Sequence, residues 1–350
     1  MLCSFTACAE KEYALKYNDT TISANEYLYW LSSYKTVFLS YYLNGNDSPE
    51  LWDSEVDEGL TIENFLSGIA LGNIKNNIIC IDLFDEMGLK LSKDEINDAD
   101  DYVNELIKKA GGVDALNNSL SAYGVNSKLL KEIYKNDRKI KLVQDKLFEE
   151  GGELAITDSD RDNFFNENYI RVKHIYINNV KDLARDEEGD LIIDSDTGTY
   201  KTRELTETEK AEKTALAETV YAEIVSGGDF DALMAEYGAD TTMKVYKDGY
   251  YINSNTALLP PEVIEKAFTA AEGEVARVDS EIGIHIIKRE PLLDKAYADE
   301  NNSAFFSEFD NNLRTIKLTE FFNNRVNDVT VNKDVISSFS LKTCTANYLY

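Results

Sequence analysis

Two short apolar stretches decide the fold: Arg171-Val172-Lys173-His174-Ile175-Tyr176-Ile177 and Ile282-Gly283-Ile284-His285-Ile286-Ile287-Lys288. β-Branched and aromatic residues dominate both stretches, and polar residues alternate with them, so each is predicted to be a β-strand. Each strand carries one histidine near its middle, and His174 and His285 are the only two histidines of the 350 residues. We therefore expect one domain to be organised around this pair.

The composition is that of an acidic protein with enough apolar material for packed cores. The formal net charge is −28, and hydrophobic residues make up 43% of the chain. A length of 350 residues allows two domains. Because such a chain repels phosphate backbones, we expect no nucleic acid among its partners. No apolar run reaches about 18 residues, so no transmembrane helix is predicted.

The spacing of the cysteines matches no metal-binding pattern. The four cysteines are Cys3, Cys8, Cys80 and Cys344. Cys80 lies in an apolar helical run and is predicted to be a small buried hydrophobe. The sequence leaves open whether Cys80 and Cys344 form a disulfide.

The first residues contain Phe5-Thr6-Ala7-Cys8, which resembles the end of a bacterial lipoprotein signal. In such signals, small residues precede a cysteine that receives a lipid after cleavage. We expect residues 1–13 to be the remainder of a signal whose earlier part precedes this sequence, with a lipid tether at Cys8. The alternative is a frayed N-terminus with incidental cysteines.

Capping motifs and apolar stripes predict a helical segment over residues 14–160. A small hairpin comes first, and predicted helices start at Ser23, Thr61, Ser92, Ser127 and Thr157. Residues 178–208 are rich in Asp, Glu, Gly and Thr and are predicted to be an exposed hairpin insertion. A further helix, from about Ala304 to Val326, carries more apolar surface than a lone helix can bury. We therefore expect residues 296–350 to pack back on the helical segment.

The elements between the two histidine strands come in a distinctive order. A long helix, Gly227-Gly228-Asp229-Phe230, a short helix, an aromatic segment, a proline-led helix and Glu272-Gly273-Glu274 follow one another. This order resembles the parvulin family of peptidyl-prolyl isomerases over residues 165–291. The flanking regions look like the chaperone part of PrsA-type extracytoplasmic foldase lipoproteins, with SurA a more distant relative. The resemblance implies an α+β fold, with a small antiparallel sheet flanked by helices and inserted in or following a helical chaperone domain.

The resemblance also implies a site. Parvulins use a paired-histidine network in the sheet and a Cys or Asp near the substrate proline; His174, His285 and Asp240 match these three catalytic positions. Four further residues match positions of the apolar slot that holds the proline ring: Tyr251, Leu259, Val263 and Phe268. Rotation about an amide breaks no bond, so neither a cofactor nor a metal is expected. No basic cluster follows the first histidine strand, so phosphorylated substrates are not expected.

The function implied is that of a bacterial isomerase and chaperone acting on unfolded or partly folded exported polypeptides. It would lie outside the cytoplasmic membrane and touch the membrane only through a lipid anchor. The main alternative is a holdase with little isomerase activity, predicted if the four slot residues do not converge near Asp240. A third hypothesis, a mere spacer, predicts a wholly polar helical surface. Whether the chain forms a homodimer is left open.

Overall fold

The computed structural model describes residues 13–349. Its contacts divide the chain into two compact units. The first, here called the helical unit, runs to Ala155 and resumes at Thr315. The second, here called the sheet unit, is Ile156–Arg314.

The helices and strands follow one another in this order. The helical unit begins with β1 (Tyr13–Tyr17), β2 (Thr20–Ser23), α1 (Ala24–Tyr41), α2 (Pro49–Trp52), β3 (Glu55–Asp57), β4 (Leu60–Thr61), α3 (Ile62–Glu86), α4 (Lys93–Ala110), α5 (Val113–Leu120) and α6 (Ser127–Phe148). The sheet unit contains α7 (Asp158–Asn168), β5 (Ile170–Ile177), β6 (Lys181–Leu183), β7 (Thr202–Glu204), α8 (Glu207–Val225), α9 (Phe230–Tyr237), β8 (Tyr250–Ile252), α10 (Pro261–Thr269), β9 (Val275–Ser280) and β10 (Gly283–Glu290). The chain then forms α11 (Phe309–Asn323), in which the division between the units falls, β11 (Thr330–Val331) and α12 (Lys333–Ile336).

Local capping chemistry starts the helices where the sequence predicts. Ser92 accepts a hydrogen bond from the Glu95 backbone, and the Glu95 side chain accepts one from the Ser92 backbone, which completes a capping box. Thr61 caps α3 in the simpler way, accepting from Asn64. Apolar residues of α1, α3 and α6 then form one buried core of the helical unit. The end of the chain joins this unit, because β11 pairs with β1 in the sheet β11-β1-β2.

The sheet unit is built on a four-stranded antiparallel sheet. The strand order is β8-β5-β10-β9, so the two histidine strands are central neighbours. The predicted α+β fold with a small antiparallel sheet is therefore confirmed. The predicted insertion is an exposed hairpin, in which β6 pairs with β7.

The residues that follow β10 require a correction. We predicted that residues 296–350 pack on the helical segment, but those up to Arg314 belong to the sheet unit. The reason is an aromatic cluster: Phe306 and Phe309 are buried with Phe164, Phe165 and Tyr251. Short 3-10 turns, Ala296–Ala298 and Glu300–Phe305, replace the predicted start of the C-terminal helix.

Two further sequence questions concern the thiols and the membrane. Cys80, which is buried, and Cys344 are both free thiols. Within residues 13–349, no helix has the length and apolar character needed to cross a membrane. The predicted lipid site, Cys8, lies outside the described residues.

Candidate active site

Strand register brings the two histidines together. On the antiparallel strands β5 and β10, His285 lies opposite Tyr176 and His174 opposite Ile287. Because side chains alternate between the faces of a sheet, both rings project from the same face. Their rings are nearly parallel, with an interplanar angle of 13° and centroids 5.1 Å apart. His174 Nε2 lies 2.9 Å from His285 Nδ1, and both residues are buried.

Asp240 lies in the segment after α9 and is held by four hydrogen bonds. Its Oδ2 atom accepts from His174 Nδ1 at 2.9 Å and from the Tyr250 hydroxyl at 2.6 Å. Its Oδ1 atom accepts from the backbone N–H groups of Thr242 and Met243. Burial alone would raise the pKa of this carboxyl, but the bonds from His174 and Tyr250 outweigh it and lower the pKa to about 2. Asp240 is therefore a fixed carboxylate with its acceptor sites filled.

The contacts define a continuous series of hydrogen bonds from Ser280 to Asp240. Burial, with the neighbouring His174, lowers the pKa of His285 to about 4, so its ring is neutral at pH 7. His285 Nε2 lies 2.8 Å from the Ser280 hydroxyl. His174 Nδ1 faces the Asp240 carboxylate and therefore donates to it, and one proton lies between His174 Nε2 and His285 Nδ1.

A cavity of about 280 Å³ opens beside this series. It is lined by His174, Tyr176, Ala239, Asp240, Thr241, Thr242, Tyr250, Leu258, Leu259, Pro260, Ile282 and His285. The apolar wall is formed by Leu258, Leu259, Pro260 and Ile282, and the acid lies across from it. We call this space the catalytic cavity.

The predicted slot residues are only partly brought to this cavity. Leu259 lines it, as predicted. Val263 is fully buried in the core under α10, and Phe268, which is 36% exposed, lines a separate cavity with Ile264 and Pro261. Neither Val263 nor Phe268 is therefore among the residues that line the catalytic cavity.

Tyr251 also requires a correction, because Tyr250 takes the place expected for it. Tyr250 lies opposite Val172 and Tyr251 opposite Arg171, so the two tyrosines project from opposite faces of β8. Tyr250 shares the face of His174 and reaches Asp240, whereas Tyr251 is buried against Phe165 and Phe306. The signal that could have found Tyr250 is the pairing of β8 with β5. Tyr250 pairs with Val172, which lies two residues from His174 and therefore on the same face of the sheet.

Chemically, the site offers a carboxylate, a pair of imidazoles and an apolar wall. Among the described residues, no group of three or more His, Cys, Asp or Glu side chains is arranged to hold a metal ion. A four-stranded antiparallel sheet with paired histidines bonded to an acid, beside a small partly apolar cavity, defines the parvulin class of peptidyl-prolyl isomerase domains. Residues 163–291 match the family model of the PPIC-type PPIase domain. This part of the chain is therefore a PPIC-type peptidyl-prolyl isomerase domain.

Solved structures of such proteins are similar at low identity. PrsA from Bacillus subtilis is 19% identical, covering 80% of this chain and 87% of its own, with a TM-score of 0.24. NmPin, the parvulin of Nitrosopumilus maritimus, is 21% identical, covering 35% of this chain and 97% of its own, with a TM-score of 0.22. One of the SurA-like chaperones PEB4 and Cj1289 of Campylobacter jejuni is 15% identical, covering 67% and 80%, with a TM-score of 0.21. No curated protein sequence matches the chain. At these values the assignment rests on the domain match and on the geometry of the site.

Proposed function

We propose that the protein is an extracytoplasmic foldase, whose sheet unit isomerises prolyl bonds and whose helical unit holds unfolded exported polypeptides. The observation that carries the isomerase half is the hydrogen-bonded series from Ser280 through His285 and His174 to Asp240, which lines the catalytic cavity.

The chemistry demanded of the site is modest. Resonance gives the prolyl amide a rotation barrier of about 18–20 kcal/mol, and no bond has to break. The apolar wall around Leu259 grips the proline ring and excludes water, which favours the twisted, less polar amide. Asp240 is saturated by four donors and has a pKa of about 2, so it acts as a fixed negative charge beside the amide. His174, which His285 supports in turn, holds that charge in place.

The shallow cavity supports modest catalysis. Only Leu259 of the four slot residues lines it, which was the condition under which a holdase with little isomerase activity is expected. Both hypotheses are retained, and one assay separates them. We expect the protein to accelerate cis/trans exchange in an Ala-Pro-Phe type peptide.

The assay uses the full chain and a matched pair of variants. Asp240→Ala is expected to lower kcat/KM at least tenfold, because the fixed charge and the anchor of His174 are both removed. Asp294→Ala, an exposed aspartate of the same unit, is expected to retain the wild-type rate. Equal exchange rates with and without the wild-type protein would leave only the holdase hypothesis.

Exposed apolar side chains in the helical unit support the chaperone half. Tyr41 is 80% exposed and Tyr42 69% at the end of α1, and Phe65 and Ile69 of α3 are 46% and 40% exposed. A wholly polar surface, the condition for a mere spacer, is therefore absent from the described part of this unit. Such side chains suit the apolar segments of unfolded polypeptides.

Aggregation of reduced insulin tests this surface. The wild-type chain is expected to delay aggregation, and the double variant Tyr41→Ser, Tyr42→Ser to lose at least half of the delay. Tyr348→Ser removes another exposed tyrosine, 68% exposed in the same unit, and serves as the matched control. An undiminished delay in the double variant would remove these tyrosines from the proposal.

The location outside the membrane and the lipid on Cys8 complete the proposal. They are supported by the likeness of Phe5-Thr6-Ala7-Cys8 to the end of a lipoprotein signal. When the protein is exported in a bacterial host, mass spectrometry of the N-terminal peptide is expected to find a diacylglyceryl group on Cys8. An unmodified Cys8 in the exported protein would contradict the anchor.

A further inference from the structure

A second cavity adjoins the catalytic cavity. Its volume is about 650 Å³, and Thr242 and Leu258 line both cavities. Leu258 is 44% exposed, an unusual position for a leucine, between the two spaces. We call the larger space the flanking cavity.

One wall of the flanking cavity comes from outside the isomerase domain. The domain match ends at residue 291, whereas Ala304, Phe305, Ser307, Glu308 and Asn312 line the cavity. Aromatic contacts hold this wall in place. The Phe305 ring lies 4.6 Å from that of Tyr246 and 5.7 Å from that of Tyr250, which bonds Asp240. The segment after the domain therefore packs, through Phe305, against Tyr250, which lines the catalytic cavity.

The lining indicates which side chain would fit. Four aromatic residues face the cavity: Tyr169, Tyr246, Tyr251 and Phe305. The only charged residue among its described lining is Glu308. Rings of this kind favour contact with a large apolar side chain, and the carboxylate disfavours an acidic one.

We propose that the flanking cavity is a specificity subsite for the client polypeptide, and that it takes a large uncharged apolar side chain close to the isomerised proline. This rests on the proposed isomerase function. Because the two cavities share lining residues, a chain whose proline lies in the catalytic cavity places a nearby residue in the flanking cavity. The segment 304–312 therefore sets part of the substrate preference, although it lies outside the domain.

The test compares peptides that differ only next to the Ala-Pro unit. Phe, Gly or Glu is placed on the N-terminal side in one series and on the C-terminal side in another. For the wild-type full chain we expect kcat/KM to be about tenfold higher with Phe than with Gly in one of the two series, and lowest with Glu. Ratios near one in both series would overturn the proposal.

Variants of the wall residues test whether the flanking cavity causes the preference for Phe over Gly. Phe305→Ala is expected to reduce the Phe/Gly ratio to threefold or less, and Ala304→Trp, which fills the cavity from its exposed side, to do the same without removing a packed ring. Leu293→Ala changes a 45% exposed apolar residue that also follows the domain match but does not line the cavity, and it should keep the tenfold ratio. An unchanged ratio in both wall variants would contradict the subsite.

A binding measurement separates failure of the subsite from failure of the isomerase function. If no peptide is isomerised faster than in buffer, the isomerase half of the proposed function fails. Dissociation constants of the same peptides, from fluorescence anisotropy, then decide the subsite. Tighter binding with Phe than with Gly, lost in Ala304→Trp, supports it; equal dissociation constants overturn it.

Discussion

Tyr250 and Tyr251 are neighbours in the sequence and have opposite surroundings. Tyr250 bonds the Asp240 carboxylate, whereas Tyr251 is buried among aromatic rings on the other face of β8. The sequence resemblance pointed to Tyr251 because an aromatic residue is expected there. Propensity cannot distinguish two adjacent tyrosines; only the pairing of β8 with β5 fixes which one faces His174.

Tyr250→Phe tests that assignment. Removing a hydrogen bond to a charged group costs about 1.5–3 kcal/mol, so we expect kcat/KM to fall about tenfold or more. Asp240 also loses a donor, its pKa rises, and the acidic limb of the pH–rate profile moves to higher pH. The control is Tyr200→Phe, which removes the hydroxyl of an exposed tyrosine in the hairpin insertion. An unshifted acidic limb would mean that Tyr250 does not tune Asp240.

Tyr251→Phe addresses the other ring. The Tyr251 hydroxyl is buried and has no hydrogen-bond partner among the residues that the structure describes. Deleting an unsatisfied buried hydroxyl while keeping the ring is expected to raise the free energy of unfolding by about 1 kcal/mol. Chemical denaturation of the two proteins measures this difference. A loss of more than about 1 kcal/mol would show that the hydroxyl makes a stabilising bond.

At the scale of elements, short-range signals predicted the helices well. The helix starts predicted at Ser92 and Thr157 are both stabilised by capping boxes, Ser92–Glu95 and Thr157–Asp160, because capping depends on residues three apart. Longer-range packing shapes the aromatic segment before the proline-led helix, of which only Tyr250–Ile252 is a strand. At Gly249, where the turn ends, the backbone comes close to Val172 of β5. A sequence pattern cannot reveal this close contact between distant parts of the chain.

Gly249→Ala tests the importance of this turn. Gly249 has a φ of +108°, and an added Cβ would lie 2.7 Å from the Val172 carbonyl oxygen. Backbone strain and this clash are expected to lower the free energy of unfolding by about 3 kcal/mol, and displacement of Tyr250 to lower kcat/KM. Gly227→Ala has a similar φ, +100°, with open space around the added atom, and should cost only about 1 kcal/mol. Equal losses in the two variants would show that the approach to Val172 is unimportant.

At the scale of the whole molecule, the histidine strands and the order of the elements between them predicted the domain. His174 and His285 are 111 residues apart and yet in hydrogen-bond contact, as the resemblance implied. The number of apolar residues in 296–314 does not predict which unit they join, because their aromatic side chains could pack in the core of either one. The contacts of Phe306 and Phe309 with Phe165 and Phe164 decide it.

The two units are expected to respond to acid in opposite directions. In the sheet unit, the folded-state pKa of His285 is lowered to about 4, so the unfolded chain takes up the proton first as the pH falls below 6.5. Between pH 6.5 and pH 5 the free energy of unfolding of this unit should fall by about 2 kcal/mol.

In the helical unit, burial raises the pKa of Glu26 to about 6 and that of Asp137 to about 7. Their contribution is complete below their unfolded pKa values and is lost as the pH rises towards 7. From pH 7.5 to pH 5 the helical unit should therefore gain on the order of 4 kcal/mol.

Calorimetry of the full chain at pH 7.5 and pH 5 measures both changes. Both tryptophans, Trp30 and Trp52, belong to the helical unit, so the transition that tryptophan emission follows identifies that unit. We expect the melting temperature of this transition to rise at pH 5 and that of the other to fall. A common shift of both transitions in one direction would refute the assignment of the shifts to these groups.

The most direct test of the site uses the fact that the chain has only two histidines. Nitrogen-15 NMR of the imidazole rings in the full chain at pH 7 reports the protonation of each ring nitrogen, with His174→Gln and His285→Gln for assignment. The hydrogen-bonded series from Ser280 to Asp240 predicts that His174 is protonated on Nδ1 and that the His285 ring remains neutral down to about pH 4. A His285 ring that titrates near 6.5, or an unprotonated His174 Nδ1, would contradict it.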